Sequence, residues 1–435
     1  MHFISTRGGG EPLLLEAALQ RGIAADGGLF VPTEFPRFTP QSFADDQTPP
    51  AIARRMLEPF FAGTSLAPEV GAIAEQALSF PLPLIALEAP AEQDLSVLEL
   101  FHGPTAAFKD VGARFLAACL TRLEAHGSRA HGDLTILVAT SGDTGGAVAA
   151  AFHRQPGIRI VILFPRGLVS ARQEHQLCCW GDNVSSLSVD GPFDVCQALV
   201  KAAFADQALR DRVRLSSANS INIGRLLPQA AYYAASSLAV WRRTGAPANY
   251  IVPTGNLGNA LACVWARKMG LPIGQVILAT NANRTIPDYL ASGDWQPRDS
   301  VATLASAMDV GNPSNMERLR HQHPAWREVT DAVSAYAVSD AQIREQIRQD
   351  AQQRQQIWCP HTATALHVYD QLPDQARRGG PWVAVATAHP AKFDTIVEPL
   401  IGHVVEVPPA LAAILDQPAQ AIPIAGHLDA LAAQV

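Results

Sequence analysis

Runs of basic residues are missing from this 435-residue chain, whose 33 Lys and Arg stand against 40 Asp and Glu, for a net charge of −7. A nucleic-acid partner is not expected, because binding to a phosphate backbone needs a basic stripe. The apolar stretches are interrupted well before the roughly 18 residues that a membrane span requires. Residues 1–6 show no basic segment followed by a long apolar run, so no secretory signal is expected.

Cysteine is scarce, and no pair has the C-x-x-C spacing of a zinc or redox motif. The six cysteines are Cys119, Cys178, Cys179, Cys196, Cys263 and Cys359. Their apolar surroundings are typical of buried free thiols in a reducing compartment such as the cytoplasm. The adjacent Cys178 and Cys179 have no His or Cys cluster at ligand spacing beside them, so no metal site is predicted.

Charged residues make up only 17% of the chain and hydrophobic residues 48%, an ordinary globular composition. A chain of this length is too long for one simple core and predicts two or three domains. Residues 1 to about 95 form a first region, with a helical segment at 11–21 and a turn at 26–28. Prolines between Pro81 and Pro90 predict its boundary.

From about residue 96 the pattern changes to strand, loop and helix, repeated. Buried strands are predicted at 134–139, 158–164, 184–189, 250–252, 276–279 and 382–386. Helices are predicted at 111–120, 147–152, 192–206, 224–243 and 261–269. Continuous apolar strands that alternate with helices indicate an α/β fold with parallel sheets covered on both faces. In such folds, ligands bind at the carboxyl ends of the strands.

A lysine at one strand-to-helix turn is a candidate for covalent chemistry. Lys109 follows Phe108 and small residues in the segment H-G-P-T-A-A-F-K-D at 102–110. Partial desolvation would lower the pKa of its amine, and imine formation needs the neutral amine. An ordinary surface lysine in a loop is the other interpretation that the residues allow.

Two glycine-bearing loops follow predicted strands and open helices, where backbone N–H groups can bind an anion. The first is T-S-G-D-T-G-G at 140–146, and the second is P-T-G-N-L-G-N-A at 253–260. In the second loop, Gly255 and Gly258 let the backbone approach a phosphate closely, and the helix N-terminus adds partial positive charge. A tight capped turn that binds nothing is the alternative.

A fourth segment, S-S-A-N-S-I-N-I-G-R at 216–225, combines three serines, two asparagines and an arginine just ahead of a predicted helix. Side chains of this kind can hold a second phosphate. A polar loop that only caps the helix is the alternative.

Taken together, these segments resemble those of the threonine synthases of the longer bacterial and fungal type, a family of fold type II pyridoxal phosphate (PLP) enzymes. The similarity runs over nearly the whole chain, and its most specific part is the segment at 102–110, which is similar to the family's PLP-lysine motif. S-G-D-T-G at 141–145, S-A-N-S-I-N-I-G-R at 217–225 and A-T-A-H-P-A-K-F at 386–393 fit as well. The chain departs from the family at Leu257, where an aromatic residue is frequent, and at Val195, where an acidic residue is common.

The resemblance implies a tryptophan synthase β-like α/β fold, with parallel sheets flanked by helices and an extra N-terminal domain. It divides the chain into a threonine-synthase-specific domain over 1–95 and a large PLP-binding domain over 96–128 and 240–435. A smaller PLP subdomain is inserted at 129–239.

The resemblance also implies a PLP-dependent lyase that converts O-phospho-L-homoserine and water to L-threonine and phosphate by γ-elimination and β-addition, the last step of threonine biosynthesis. Lys109 would form the Schiff base with the cofactor and move protons. The residues that would hold the cofactor beside Lys109 are Gly255, Asn256, Leu257, Gly258, Asn259 and Thr387. The residues that would bind the substrate are Ser141, Gly142, Asp143, Thr144, Ser217, Asn219, Asn222 and Arg225.

Two other functions fit part of the same sequence. One is a different fold type II enzyme, such as an amino-acid dehydratase, against which the extra N-terminal region and the H-G-P-T segment argue. The other is a non-catalytic homologue that binds a phosphorylated metabolite as a sensor, against which the intact Lys109 argues.

Overall fold

A computed structural model of the chain describes residues 1–87, 94–127, 132–140 and 142–435. The strands are β1 Phe3–Ser5, β2 Phe30–Pro32, β3 Leu84–Ala86, β4 Asp94–Glu99, β5 Leu134–Ala139, β6 Ile158–Pro165, β7 Val184–Val189, β8 Arg214–Ser217, β9 Ala248–Pro253, β10 Ile273–Thr280, β11 Ser334–Ala337, β12 Pro381–Ala386 and β13 Ile422–Ile424. The helices are α1 Leu15–Arg21, α2 Pro49–Phe61, α3 Val70–Ala77, α4 Lys109–His126, α5 Asp143–Phe152, α6 Ala171–Cys178, α7 Phe193–Ala205, α8 Gln207–Arg212, α9 Ile223–Leu226, α10 Gln229–Thr244, α11 Gly258–Lys268, α12 Thr285–Ser292, α13 Met316–Gln322, α14 Trp326–Ala332, α15 Asp340–Gln349, α16 Pro360–Asp370, α17 Asp374–Arg377, α18 Asp394–Ile401, α19 Pro409–Leu415 and α20 Leu428–Ala432. Within the described ranges, no helix combines the length and the apolar character needed to cross a membrane.

Two larger sheets carry the architecture. The first has the strand order β11-β10-β9-β12-β4-β3 and is parallel except for β3, which runs antiparallel to β4. The second has the order β13-β7-β6-β5-β8 and is parallel throughout. Every residue of β5, β9 and β12 is buried, as strands covered on both faces require. The predicted α/β fold with parallel sheets is confirmed.

The N-terminal region packs onto this core instead of standing apart from it. Strands β1 and β2 form a small antiparallel pair, and helices α2 and α3 contact α10 and α4. Phe60 and Phe61 on α2 belong to the same buried hydrophobic cluster as Phe115 on α4. All six cysteines are free, and five of them are buried, with Cys179 partly exposed, which confirms the expectation of buried thiols.

The predicted elements differ from the observed ones in two informative places. The helix predicted at 224–243 is split into α9 and α10 because Pro228 has no N–H to continue the hydrogen-bond ladder. The helix predicted at 11–21 begins only at Leu15, because Leu13 exchanges backbone hydrogen bonds with Phe3 of β1, at 2.7 and 2.9 Å. Strands β5 and β7 have the predicted bounds.

The division into domains stays a prediction, but one strand departs from it. Strand β13, Ile422–Ile424, pairs with β7 in the five-stranded sheet. The predicted division places 240–435 wholly in the large domain. The end of the chain therefore returns to the smaller sheet.

Candidate active site

The carboxyl ends of strands from both larger sheets open into one cleft with a volume of about 1490 Å³. Most of the predicted site residues line this cleft: Lys109, Asp143, Thr144, Ser217, Asn219, Arg225, Gly255, Asn256, Leu257, Gly258, Asn259 and Thr387. Of the described residues, Gly142 and Asn222 do not line it, and Ser141 lies outside the described residues. The location agrees with the rule that open parallel sheets bind ligands at the carboxyl ends of their strands.

Lys109 is the first residue of α4 and is anchored to the end of β12. The preceding Phe108 donates its backbone N–H to the carbonyl of Thr387 at 2.8 Å, and Ala107 forms a bridge with Ala388. The Lys109 side chain is 15% exposed, and its Nζ lies 4.9 Å from the centre of the Phe108 ring. Burial lowers the pKa of the Lys109 amine, and nearby Asp143 opposes that shift. The interpretation as an ordinary surface lysine is wrong.

Asp143, at the start of α5, is placed between two lysines. Its Oδ1 lies 2.7 Å from Lys392 Nζ, and its Oδ2 lies 3.6 Å from Lys109 Nζ. Gln173 Nε2 also donates to Oδ1 at 3.0 Å. Burial alone would raise the pKa of the Asp143 carboxyl, but Lys392 and Lys109 hold that pKa well below its ordinary value. Asp143 is therefore a fixed anion, with a lysine beside each of its two oxygens.

His361, on α16, is a polar group of the cleft that sequence reasoning missed. Its Nε2 accepts a hydrogen bond from the backbone N–H of Ala307 at 3.1 Å. Burial lowers the pKa of His361 to about 4, so the ring is neutral and its hydrogen lies on Nδ1. That Nδ1 has no hydrogen-bond partner among the described residues. The sequence signal was one histidine in an apolar helix, which is too weak to single out.

Thr6 and Arg7 from the N-terminal region also line the cleft and were not predicted as site residues. Arg7 donates from Nε and Nη2 to the two carboxylate oxygens of Glu317, both at 3.0 Å. Thr6 donates to the same carboxylate at 2.5 Å. The N-terminal region is thereby joined to α13 at the rim of the cleft.

The loop at 255–259 is shaped for a group that approaches the N-terminus of α11. Leu257 adopts a left-handed conformation with φ 65° just before the helix, and the N–H groups of a first helical turn have no partner within the helix. A Cβ atom on Gly255 would lie 2.6 Å from Met308 Cα, so only glycine fits there. Asn256 ties the loop down by donating to Ser220 Oγ and accepting from the N–H of Ser314, both at 2.5 Å.

Asn259, the second residue of α11, lines the cleft beside this loop. Its Oδ1 accepts hydrogen bonds from the hydroxyls of Tyr232 and Tyr233 at 2.5 and 2.8 Å. Its buried Nδ2 has no hydrogen-bond partner within the part of the chain that the structure describes. A buried donor without a partner is disfavoured unless a ligand satisfies it. The orphan amide and the helix N-terminus together fit an anionic group such as the phosphate of a cofactor.

The asparagines of the 217–225 segment donate to other parts of the protein. Asn222 Oδ1 accepts from Gly224 N at 2.9 Å, and its Nδ2 donates to the carbonyls of Leu19 and Ser217 at 3.0 and 2.9 Å. Asn219 Nδ2 donates to the carbonyl of Ala139 at 2.8 Å. This segment therefore caps α9 and also ties the N-terminal region to β5.

Arg225, on α9, is the cation of this segment and lines the cleft. It is 3% exposed, and one of its terminal nitrogens donates to the carbonyl of Ala218. Burial lowers the pKa of its guanidinium to about 10, a value at which it remains charged near pH 7. Its Nε has no partner among the described residues. Arg225 thus remains a candidate for an anion in the cleft.

Comparisons with known proteins identify the class to which this site belongs. Residues 78–388 match the family model described as "Pyridoxal-phosphate dependent enzyme". Residues 2–78 match the model of the threonine synthase N terminus, and residues 362–435 match that of the threonine synthase C-terminal region. The chain is a PLP-dependent enzyme of fold type II, and PLP is its cofactor.

Individual relatives narrow this class. The chain is 40% identical over 406 residues to a threonine synthase of Serratia marcescens, covering 92% of this chain and 91% of that protein. The crystal structure of threonine synthase from Escherichia coli superposes with a TM-score of 0.90 at 35% identity, covering 100% of this chain and 99% of that one. The PLP-bound threonine synthase from Brucella melitensis gives 0.90 at 33% identity, covering 100% and 98%. The chain belongs to the threonine synthase family.

Proposed function

We propose that the cleft converts O-phospho-L-homoserine and water to L-threonine and phosphate, with Lys109 as the lysine that is linked to PLP. The observation that carries the proposal is the buried amine of Lys109, which lies 3.6 Å from the fixed carboxylate of Asp143 at the carboxyl end of the sheets. Burial keeps a fraction of that amine neutral, and only a neutral amine can attack an aldehyde.

Lys109 would hold the cofactor covalently, because a neutral amine can condense with an aldehyde with the loss of one water. PLP, when bound, withdraws electrons from a carbanion at the substrate Cα. The Lys109 amine is the base that we propose to move protons at the substrate Cα and Cβ.

The cofactor phosphate is assigned to the N-terminus of α11. Supporting this are the left-handed Leu257, the open first turn at Gly258, and the unpartnered amide of Asn259. Gly255 and Asn256 hold the loop in place. We assign Thr387, buried at the end of β12, to the ring nitrogen.

The substrate phosphate is assigned to Ser217, Asn219 and Arg225, which line the cleft. Asn222 is not carried forward in this role, because its oxygen and its amide both bond to the backbone. The substrate carboxylate is assigned to the start of α5, at Thr144, which lines the cleft. Gly142 is not carried forward, because its N–H donates to Thr140 Oγ1 at 3.0 Å. The side chain of Asp143 takes no part there, because like charges repel.

Borohydride reduction followed by peptide mapping tests the assignment of Lys109. We expect the reduced adduct on Lys109, and the variant Lys109→Ala should lose threonine and phosphate release by several orders of magnitude. Lys268→Ala is the matched control, because Lys268 lies over the Phe35 ring and outside the cleft. An adduct on Lys201, Lys268 or Lys392 would refute the assignment.

Product analysis separates the proposed reaction from its alternatives. A dehydratase would release a keto acid and ammonia from a hydroxy amino acid, and a sensor would bind O-phospho-L-homoserine without releasing phosphate. Release of threonine and phosphate in equal amounts is the expected result.

We also place the enzyme in the cytoplasm, which the six free cysteines support.

A further inference from the structure

We propose that Lys392 is the permanent counter-ion of Asp143 and thereby a positioning residue that leaves Lys109 able to lose its proton. The inference rests on the proposed function, because it takes Lys109 as the lysine that is linked to PLP. Lys392 Nζ lies 2.7 Å from the Asp143 carboxylate, whereas Lys109 Nζ lies 3.6 Å from it. The lysine outside the motif at 102–110 is thus the closer partner.

Lys392 is held in place without any help from Lys109. It is fully buried in the turn Pro390–Phe393, and its Nζ donates to the carbonyl of Thr105 at 2.8 Å. Thr105 is itself fixed by Asp110, to which it donates from its N–H at 2.9 Å and from its hydroxyl at 2.7 Å. An ammonium group that donates to a carbonyl and a carboxylate at once is well satisfied in the interior.

Five groups from different elements surround the Lys109 amine. Asp143 on α5 is the anion, Lys392 and Arg225 are cations, His361 on α16 is neutral, and the Phe108 ring lies below the amine. Asp143 favours the protonated form of Lys109, while burial, Lys392 and Arg225 oppose it.

Lys392 determines whether the protonated or the neutral form of Lys109 is favoured. If Asp143 had Lys109 as its sole cation, loss of the Lys109 proton would leave a buried carboxylate unpaired, which is strongly disfavoured. Because Lys392 stays paired with Asp143, the carboxylate keeps one cation whatever charge the Lys109 nitrogen carries. Lys392 therefore lowers the pH at which Lys109 becomes neutral and can be linked to an aldehyde.

The test is a pH titration of PLP-saturated enzyme, read by absorbance and by the borohydride-trapped fraction mapped to Lys109. Lys392→Gln keeps a hydrogen-bond donor but removes the charge, and it should shift the midpoint to alkaline pH by about one to two units. Lys392→Arg keeps the charge and should titrate close to the wild type. Lys268→Gln is the matched control and should also titrate like the wild type.

The outcomes separate this inference from the function on which it rests. A folded Lys392→Gln with an unchanged midpoint and its adduct on Lys109 overturns the inference and leaves the proposed function intact. An adduct on Lys392 itself overturns both.

A second pair of variants covers the case in which Lys392→Gln does not fold. Asp143→Asn and the double variant Asp143→Asn/Lys392→Gln both lack the buried carboxylate, so neither leaves it unpaired. Because neither variant has a carboxylate for Lys392 to keep paired, the double variant should titrate only slightly above Asp143→Asn. A difference of about one to two units between the two midpoints would show that the Lys392 charge acts on Lys109 by direct repulsion, and it would overturn the inference.

Discussion

The 255–259 loop and the 217–225 segment are both rich in donors and both precede a helix, yet they use those donors differently. In the 255–259 loop, two tyrosine hydroxyls occupy the oxygen of Asn259, and its amide group has no partner among the described residues. In the 217–225 segment, Asn222 spends both amide hydrogens on backbone carbonyls, and Asn219 spends one of its two. A donor-rich loop is therefore a candidate binding site only where the fold leaves a donor unspent.

Arg225 belongs to the 217–225 segment, but its buried Nε has no partner among the described residues. Among variants of these two segments, Arg225→Ala should therefore show the largest loss of function. Arg225→Ala should keep bound PLP but lose roughly ten- to a hundredfold in kcat/KM, because a charge-assisted contact to the substrate phosphate contributes roughly 1.5–3 kcal/mol. Steady-state kinetics and the affinity for a phosphate-bearing inhibitor measure this loss.

Asn222→Ala is the matched control within the same segment. Its side chain caps α9, so the free energy of unfolding should fall by about 1–2 kcal/mol while inhibitor affinity stays unchanged. Normal inhibitor binding by Arg225→Ala would show that the phosphate is held elsewhere. Arg298 and Arg320, which also line the cleft, would then be tested.

Gly255 tests whether the shape of the 255–259 loop matters for PLP binding. Gly255→Ala places a Cβ atom 2.6 Å from Met308 Cα, and the loop must move, at a cost of about 1–3 kcal/mol. PLP affinity should fall roughly five- to a hundredfold, and the thermal midpoint of the apoenzyme should fall as well. Equilibrium dialysis and a thermal melt measure the two effects.

Gly258→Ala is the contrasting variant, because its Cβ would lie 3.5 Å from Asn315 Nδ2, an ordinary contact. The apoenzyme should melt like the wild type, so any loss of PLP affinity would report contact with the ligand itself. If Gly255→Ala bound PLP and melted as the wild type does, the close approach to Met308 would not constrain the loop.

The smallest effect on PLP affinity is expected at Tyr233, whose hydroxyl donates to Asn259 Oδ1 and so orients the Asn259 amide. Tyr233→Phe removes one of the two hydroxyl donors to Asn259 Oδ1 and should weaken PLP binding about two- to tenfold, the value of one neutral hydrogen bond. Tyr250→Phe is the control, since the Tyr250 hydroxyl bonds to Ser236. Equal PLP affinities in the two variants would argue against an orienting role for Tyr233.

The class of fold and the family could both be predicted from the amino-acid sequence alone. Strand β5, for example, appears in the sequence as the nearly continuous apolar run L-T-I-L-V-A, and all six residues are buried. A glycine-bearing loop follows it directly. Both signals are local, so they survive without any knowledge of neighbours in space. The motif around Lys109 is likewise a continuous run of residues, so its resemblance to a family could be recognised from the sequence without a structure.

Which polar groups of the site lack a partner, and which charged groups lie together, could not be predicted before the fold was known. Lys392 and Thr105 are 287 positions apart in the chain, and Asn222 reaches Leu19 across 203 positions. A side-chain donor bonds to whichever acceptor folding brings within reach, so residue type cannot say whether it remains available. Residue type alone therefore predicted Asn222 as a ligand-binding residue without showing that its amide bonds to two backbone carbonyls. It also gave no role to Lys392, which folding brings to 2.7 Å from Asp143.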